Sequence, residues 1–322
     1  MIAVLPALDP ARYQRHALHA EDRVWVEKNC YVDVWIEAVH ALGRDPGAML
    51  GFVLRIDFEG DQWTFFKPSH DDMRAFYGVD VQELNVWRAL IDHAREHLPA
   101  GRLISTEADA FWLPDTFGTD YRRQHTKTTI IIERIDLDAR RMGYFHNAGY
   151  HQLDGEDFAR LFRLDDPPDP AFMPLYAEFA RTDRLRDAMP VSLRAEARER
   201  LGAHLAGRPQ GNPVERFVAR LQRELPDLQA RGLEHYHAWA FATIRQLGAA
   251  SELAAYHLRW IDAPGFEPAA ARFDGLSQGA KTLILKAARA VNARRALNAD
   301  ELLEQMVADW DAGMVALESA VA

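Results

Sequence analysis

Thr126-Lys127-Thr128-Thr129-Ile130-Ile131-Ile132-Glu133-Arg134-Ile135 decides the fold class. The stretch is crowded with β-branched residues, whose stiff side chains suit a pleated strand. Asp136 to Gly143 then reads as a turn, and Met142 to Tyr144 starts a returning strand, so the two form a hairpin. Upstream, Cys30 to Leu42 carries a helical pattern that stops at Gly43, with Pro46 just beyond. Between helix and hairpin, Met49 to Phe58 is rich in β-formers, and Trp63-Thr64-Phe65-Phe66 is a short strand that Pro68 ends. His70 to Tyr77 reads as a helix ending at Gly78. Val81 to Leu98 reads as a longer amphipathic helix closed by Pro99 and Gly101, and Arg102 to Glu107 as extended chain. Strands that follow helices without a regular βαβ alternation point to an α+β fold.

The texture changes near residue 165. Asp165-Asp166-Pro167-Pro168-Asp169-Pro170 is a linker by composition. Beyond it the chain is rich in Ala, Leu, Arg and Glu with helical spacing, over about 171–187, 191–206, 213–231, 233–260, 277–293 and 299–320. The expected organisation is an α+β domain over 1–164 and an all-α domain over 165–322.

The 322 residues suffice for a sizeable core, and with 48% apolar and 27% charged residues the chain reads as globular and soluble. It contains no apolar run of the roughly 18 residues that a membrane helix needs. Its opening stretch has no basic leader, so the cytoplasm is the expected compartment. The net charge of −10 argues against broad nucleic-acid binding, which relies on neutralising phosphates. Basic clusters occur at Arg122-Arg123, at Arg140-Arg141 and between Arg181 and Arg200. They are either solvated charges or a docking surface for an acidic partner.

The chain has one cysteine, Cys30, in Asn29-Cys30-Tyr31-Val32-Asp33-Val34-Trp35-Ile36-Glu37. A lone thiol makes no internal disulfide and holds no structural zinc by itself. It is either a small buried hydrophobe or a nucleophile. Cys30 opens an apolar helix, and a helix N-terminus favours the thiolate. His125 stands just before the β-branched run, and the hairpin is expected to return His146 or Asn147 beside it. Cysteine on a helix start, histidine at a later strand and Asn after that is the chain order of papain-like sites. Cys30, His125 and Asn147 are therefore the candidate catalytic residues, with His146 the alternative to Asn147. The N–H groups of Cys30 and Tyr31 would form an oxyanion hole. Asn29, Glu107, Asp109 and His146 are candidate substrate-binding residues. Glu107, Asp109 and Asp115, around the aromatic stretch Phe111 to Gly118, either line an amine pocket or cap turns. Asp57, Glu59 and Asp61 offer carboxylates without a fixed geometry. His235 and His237, two residues apart on a helix, point to different faces, and no metal site is expected. No phosphate-binding glycine loop is present.

These residues also carry a resemblance. Asn29 to Glu37 with His40-Ala41-Leu42-Gly43, Asp57 to Pro68, Leu113-Pro114-Asp115-Thr116 and Tyr144-Phe145-His146-Asn147-Ala148-Gly149-Tyr150 resemble an uncharacterised bacterial family, domain of unknown function 1839. The N-terminal half is similar, more distantly, to the N-terminal domain of butirosin biosynthesis protein H, through Cys30, Gly43, Leu113-Pro114 and His125. That resemblance implies a papain-like fold and transfer of an aminoacyl group from a carrier-protein thioester to an amine. The related domain has an aspartate where this chain offers His146-Asn147. The implied reaction is an acyltransferase with an acyl-enzyme on Cys30. The resemblance implies a reaction with no bound cofactor and with the phosphopantetheine arm of an acidic carrier protein as the expected donor. A thioesterase, amidase or peptidase with the same triad, and a non-catalytic scaffold with an inert Cys30, are the alternatives. The oligomeric state stays open.

Overall fold

The three isoleucines Ile130, Ile131 and Ile132 are all 0% exposed, so the strand that holds them is covered on both faces. Alternate side chains of a strand point to opposite faces, and a run of consecutive apolar residues is stable only where both are dry. A computed structural model describes residues 1–167, 175–187 and 189–321. The chain opens with β1 (Ile2–Ala3) and α1 (Cys30–Ala41). A small hairpin, β2 (Phe58–Glu59) and β3 (Gln62–Trp63), precedes α2 (His70–Asp72), β4 (Asp80–Glu83), α3 (Leu90–His97) and β5 (Arg102–Asp109). A meander follows of β6 (Lys127–Asp136), β7 (Arg141–His146) and β8 (Gly149–Asp154), then α4 (Gly155–Leu161) and β9 (Ala177–Arg181). The remaining elements are α5 (Pro190–Ala206), α6 (Pro213–Arg231), α7 (Leu233–Ala242), α8 (Ile244–Ile261), α9 (Glu267–Ala293) and α10 (Asp300–Val321).

The protein is thus α+β, with an antiparallel sheet in its N-terminal region and helices in its C-terminal region. Two compact units divide the chain. The first comprises Met1–Glu21, Asn29–Pro46 and Ser69–Ala188; the second comprises Asp22–Lys28, Gly47–Pro68 and Met189–Ala322. In the first unit the strands run in the order β4-β9-β5-β6-β7-β8, with β1 pairing β6. Every pairing is antiparallel. One face of the sheet presents Ile104, Ala108, Ile130, Ile132 and Tyr144 to Ile91 and Ala94 of α3 and Phe158 of α4. On the other face, Thr129 meets the first residue of α1, and Phe145 meets Tyr13, whose hydroxyl donates to Glu37 of α1. At roughly 1.5–3 kcal/mol for each fully buried Ile or Phe, the two-sided cover is the main source of the sheet's stability.

In the second unit, α5, α6 and α10 start and end within a few residues of the sequence expectation. The single helix expected over 233–260 is two, broken at Thr243 (φ −119°, ψ −81°), whose hydroxyl donates to the Trp239 carbonyl at 2.7 Å. The helix expected from 277 begins at Glu267.

Three expectations fail for tertiary reasons. Met49 to Phe58 is not extended: a 3-10 helix covers Pro46–Arg55. Gly47 and Gly51, four residues apart, let that backbone approach its neighbours. A Cβ on Gly47 would lie 2.6 Å from Trp260 Cδ1, and one on Gly51 2.6 Å from His204 Cδ2. The helix expected over Val81 to Leu98 splits into β4, paired with β9 from Asp80↔Arg181 to Glu83↔Glu178, and the shorter α3. The helix expected over 171–187 is replaced at Ala177–Arg181 by β9, which lies between β4 and β5. The sheet therefore takes in chain beyond residue 164. Of the linker expected over 165–170, residues 168–170 lie outside the described residues, as do 171–174 of that helix. Asp165 and Asp166 are ion-paired with Arg140 and with Arg160 and Arg163.

Candidate functional site

Cys30 is the first residue of α1 and is partly exposed. Asn29 caps the helix: its Oδ1 accepts the N–H groups of Tyr31 at 3.1 Å and Val32 at 2.9 Å. An Asn there satisfies donors that the first turn otherwise leaves free. Asn29 thus acts on the backbone, and the Tyr31 N–H expected in an oxyanion hole is already spent on the cap.

The Cys30 thiol meets Thr129 Oγ1 at 3.5 Å. On β6, Thr129 shares a face with Lys127, and in the β5 register Glu107 stands opposite Thr129 and Asp109 opposite Lys127. Lys127 Nζ bonds Glu107 Oε1 at 2.7 Å. Asp109 Oδ2 holds His125 Nδ1 at 2.6 Å, and the imidazole stacks on Phe111 with 4.4 Å between ring centroids. The result is a polar stripe running from Cys30 and Thr129 through Glu107, Lys127 and Asp109 to His125. Its inner end is the thiol; its outer end is an imidazole whose side chain is 70% exposed.

Of the expected catalytic residues, Cys30 and His125 are therefore placed on one surface but not in contact. The four residues from Thr129 to His125 correspond to about 13 Å of extended chain. Among the described residues no hydrogen bond joins the thiol to an imidazole. The group that orients His125 is Asp109, not Asn147. The β6–β7 register returns His146 opposite Ile130, five residues beyond His125, so the hairpin does not bring Asn147 beside the imidazole. Asn147 instead has φ +46° in the turn between β7 and β8, a left-handed conformation that Asn tolerates better than most residues.

Residues 14–182 match the family model described as the DUF1839 N-terminal domain, and residues 191–319 match the one described as the DUF1839 C-terminal domain. The chain belongs to the DUF1839 family. A comparison with curated proteins finds no match.

Within the DUF1839 N-terminal domain, His146 lies on the sheet face opposite Cys30, because it pairs with Ile130 and alternation turns both side chains the same way. It is 1% exposed, its Nδ1 lies 2.5 Å from Asp115 Oδ2, and its Nε2 lies 2.8 Å from Thr128 Oγ1. Asp115 also accepts the Tyr144 hydroxyl. Burial pushes the Asp115 carboxyl up, but the hydrogen bond and charge of His146, with His151 and Tyr144, outweigh it and hold the group below the usual carboxylate range. His146 and Asp115 therefore form a buried knot rather than a surface that shares substrate with Cys30.

A second polar cluster adjoins α1 on the thiol face. Glu178 of β9, fully buried, accepts the Tyr31 hydroxyl at 2.7 Å and the Tyr176 hydroxyl at 2.8 Å, and lies 3.4 Å from His70 Nε2. Burial raises the Glu178 carboxyl, yet the three donors more than offset it and hold it below its ordinary value. Burial beside Glu178 drives the Tyr31 phenol well up, so it stays a donor. Sequence reasoning missed this cluster because β9 was read as helix. It also missed Thr129 and Lys127, although the two-residue period from His125 places all three on one face.

Three of the arginines in the expected basic clusters make ion pairs within the DUF1839 N-terminal domain. Arg122 pairs with Asp157, Arg140 with Asp165 and Arg141 with Asp154. Among the described residues, no helix is long and apolar enough to cross a membrane.

Proposed function

We propose that this protein is a cysteine-dependent acyltransferase built on a papain-like sheet-bearing unit. One observation carries the reading: the single, partly exposed thiol starts a 12-residue helix at the head of a stripe bearing Glu107, Asp109 and an Asp-held imidazole. A helix start favours the thiolate. Asp109 on Nδ1 leaves Nε2 of His125 open to bind the acceptor as a hydrogen-bond partner. The donor class we propose, an acyl or aminoacyl thioester on a carrier protein's phosphopantetheine arm, follows from the resemblance read in the sequence at Cys30, Gly43, Leu113-Pro114 and His125.

In this reaction Cys30 Sγ attacks the thioester carbonyl, the carbon–sulfur bond to the arm breaks, and the arm leaves as a thiol carrying a proton. The amine then attacks the Cys30 thioester as the free base, its proton passes to the departing Cys30 thiolate, and the product leaves as an amide with the thiol restored. With about 13 Å of strand between Thr129 and His125, the imidazole serves as a contact for the far end of the acceptor, outside proton-transfer reach of the thiol.

The test uses intact mass, which is unambiguous for a chain with one cysteine. Incubation with acyl- and aminoacyl-pantetheine thioesters is expected to add one acyl mass to the wild type and none to Cys30→Ser. Adding an amine is expected to release the adduct as amide, more slowly in His125→Gln. Release by water alone would make the protein a hydrolase, and absence of any adduct overturns both. A non-catalytic scaffold role has one observation in its favour, the pairing of the thiol with Thr129 rather than an imidazole. It predicts that iodoacetamide labels native Cys30 no faster than the denatured chain.

A further inference from the structure

On the face of the sheet away from Cys30, a cavity of about 610 Å³ is floored by Ala108 and Ile130 and walled by Val86, Leu90, Leu161 and Phe162. That volume lies within the roughly 300–1,000 Å³ range of small-molecule sites, which are apolar with a few placed polar groups. The charged residues around it are unequal. Glu107 turns its carboxylate to Lys127 and the Tyr176 N–H, and Asp166 is taken by Arg160 and Arg163. Arg88 is held only loosely: Nη2 reaches the Asp92 carbonyl at 3.4 Å and Glu96 at 3.8 Å. The side chain is 33% exposed while Nε is buried, so the outer Nη groups are the donors a ligand in the cavity can reach.

A guanidinium presents its donors in a planar fork that matches a carboxylate. A ligand that brings an anionic acceptor to Arg88 and an apolar body to the floor satisfies both parts of the wall. We propose that this cavity binds a small amphipathic carboxylate, its carboxylate on Arg88 and its apolar body over Ile130, Ala108 and Leu90. Trp87, 77% exposed beside Arg88, covers the ligand's edge at the mouth. The cavity borders Glu107 of the thiol stripe but lies on the other face of the sheet and does not depend on Cys30 chemistry.

Calorimetric titration of the full chain with decanoate, and separately with 1-decanol, tests it. Decanoate is expected to bind saturably at one site and more tightly than decanol. Arg88→Leu is expected to weaken decanoate by roughly tenfold or more, the loss of a charge-assisted hydrogen bond. Ala89→Trp, at an exposed position on the cavity wall, is expected to block it; unchanged thermal melting of both variants verifies their fold. The proposal is overturned if decanoate shows no saturable binding, if decanol binds as well, or if either variant binds like the wild type.

Discussion

Replacing Asp115 with Ala should strongly destabilise the meander without touching the thiol. Asp115 accepts from two buried donors, the Tyr144 hydroxyl and His146 Nδ1. Tyr144 is 0% and His146 1% exposed, so water cannot replace the carboxylate. Each orphaned donor costs about 1–3 kcal/mol, and hydrogen bonds to an ionised carboxylate stand at the upper end, about 1.5–3 kcal/mol each. These overlap, so the expected loss is about 3–5 kcal/mol. Asp115→Asn retains one acceptor oxygen and should lose about half of that. Native-state hydrogen exchange of β6 and β7 amides reads the difference directly. At about 1.4 kcal/mol per tenfold, globally protected amides should exchange roughly 10² to 10³ times faster or more in Asp115→Ala. The pH dependence has a definite sign. The folded carboxyl sits below its ordinary range, so its contribution is present above that range and lost as pH falls through the folded value. Asp115→Asn should flatten this acid limb. Because the knot lies on the face opposite Cys30, iodoacetamide labelling of Cys30 should keep its native rate. A loss below about 0.5 kcal/mol, typical of an unimportant surface change, would refute the buried-knot account. So would slowed labelling of Cys30 in a folded Asp115→Asn protein.

Asn29→Ala removes the α1 cap and should cost about 0.5–2 kcal/mol, read as a lowered melting temperature. Thr129→Val removes the hydroxyl beside the thiol. A net hydrogen bond of about 0.5–1.5 kcal/mol predicts an iodoacetamide labelling rate of Cys30 changed by roughly two- to tenfold, and an unchanged rate would remove Thr129 from the thiol's environment. Glu178 is also held below its ordinary value, so the stability it contributes is lost as pH falls below the carboxylate range. Glu178→Gln should flatten the acid limb of a melting-temperature profile, and an unchanged limb would remove Glu178 from acid unfolding.

Much of the frame was legible locally. The β6–β7 hairpin follows from a β-branched run and a polar turn, and the end of α6 at Arg231 from Gly232 at a positive φ. Cys30 as the first helical residue followed from the apolar run after it, whereas the capping role of Asn29 emerged only from its bonds to Tyr31 and Val32. β4 and β9 were not legible, because four- and five-residue strands gain their stability from pairing with each other and with β5. The same holds for the candidate site. Glu107 and Asp109 were picked out as acidic neighbours of an aromatic loop. Their partners, Lys127 and His125, depend on a cross-strand register.

The sequence by itself determined the helix start at Cys30, the hairpin, the α+β character and the helical C-terminal region, because capping, periodicity and turn chemistry act within a few residues. Tertiary structure decided which side chains share a surface. A strand offers two faces, and one residue of register separates them. That single choice set His146 in a buried knot with Asp115, put Thr129 against the thiol, and gave His125 to Asp109 rather than to Asn147.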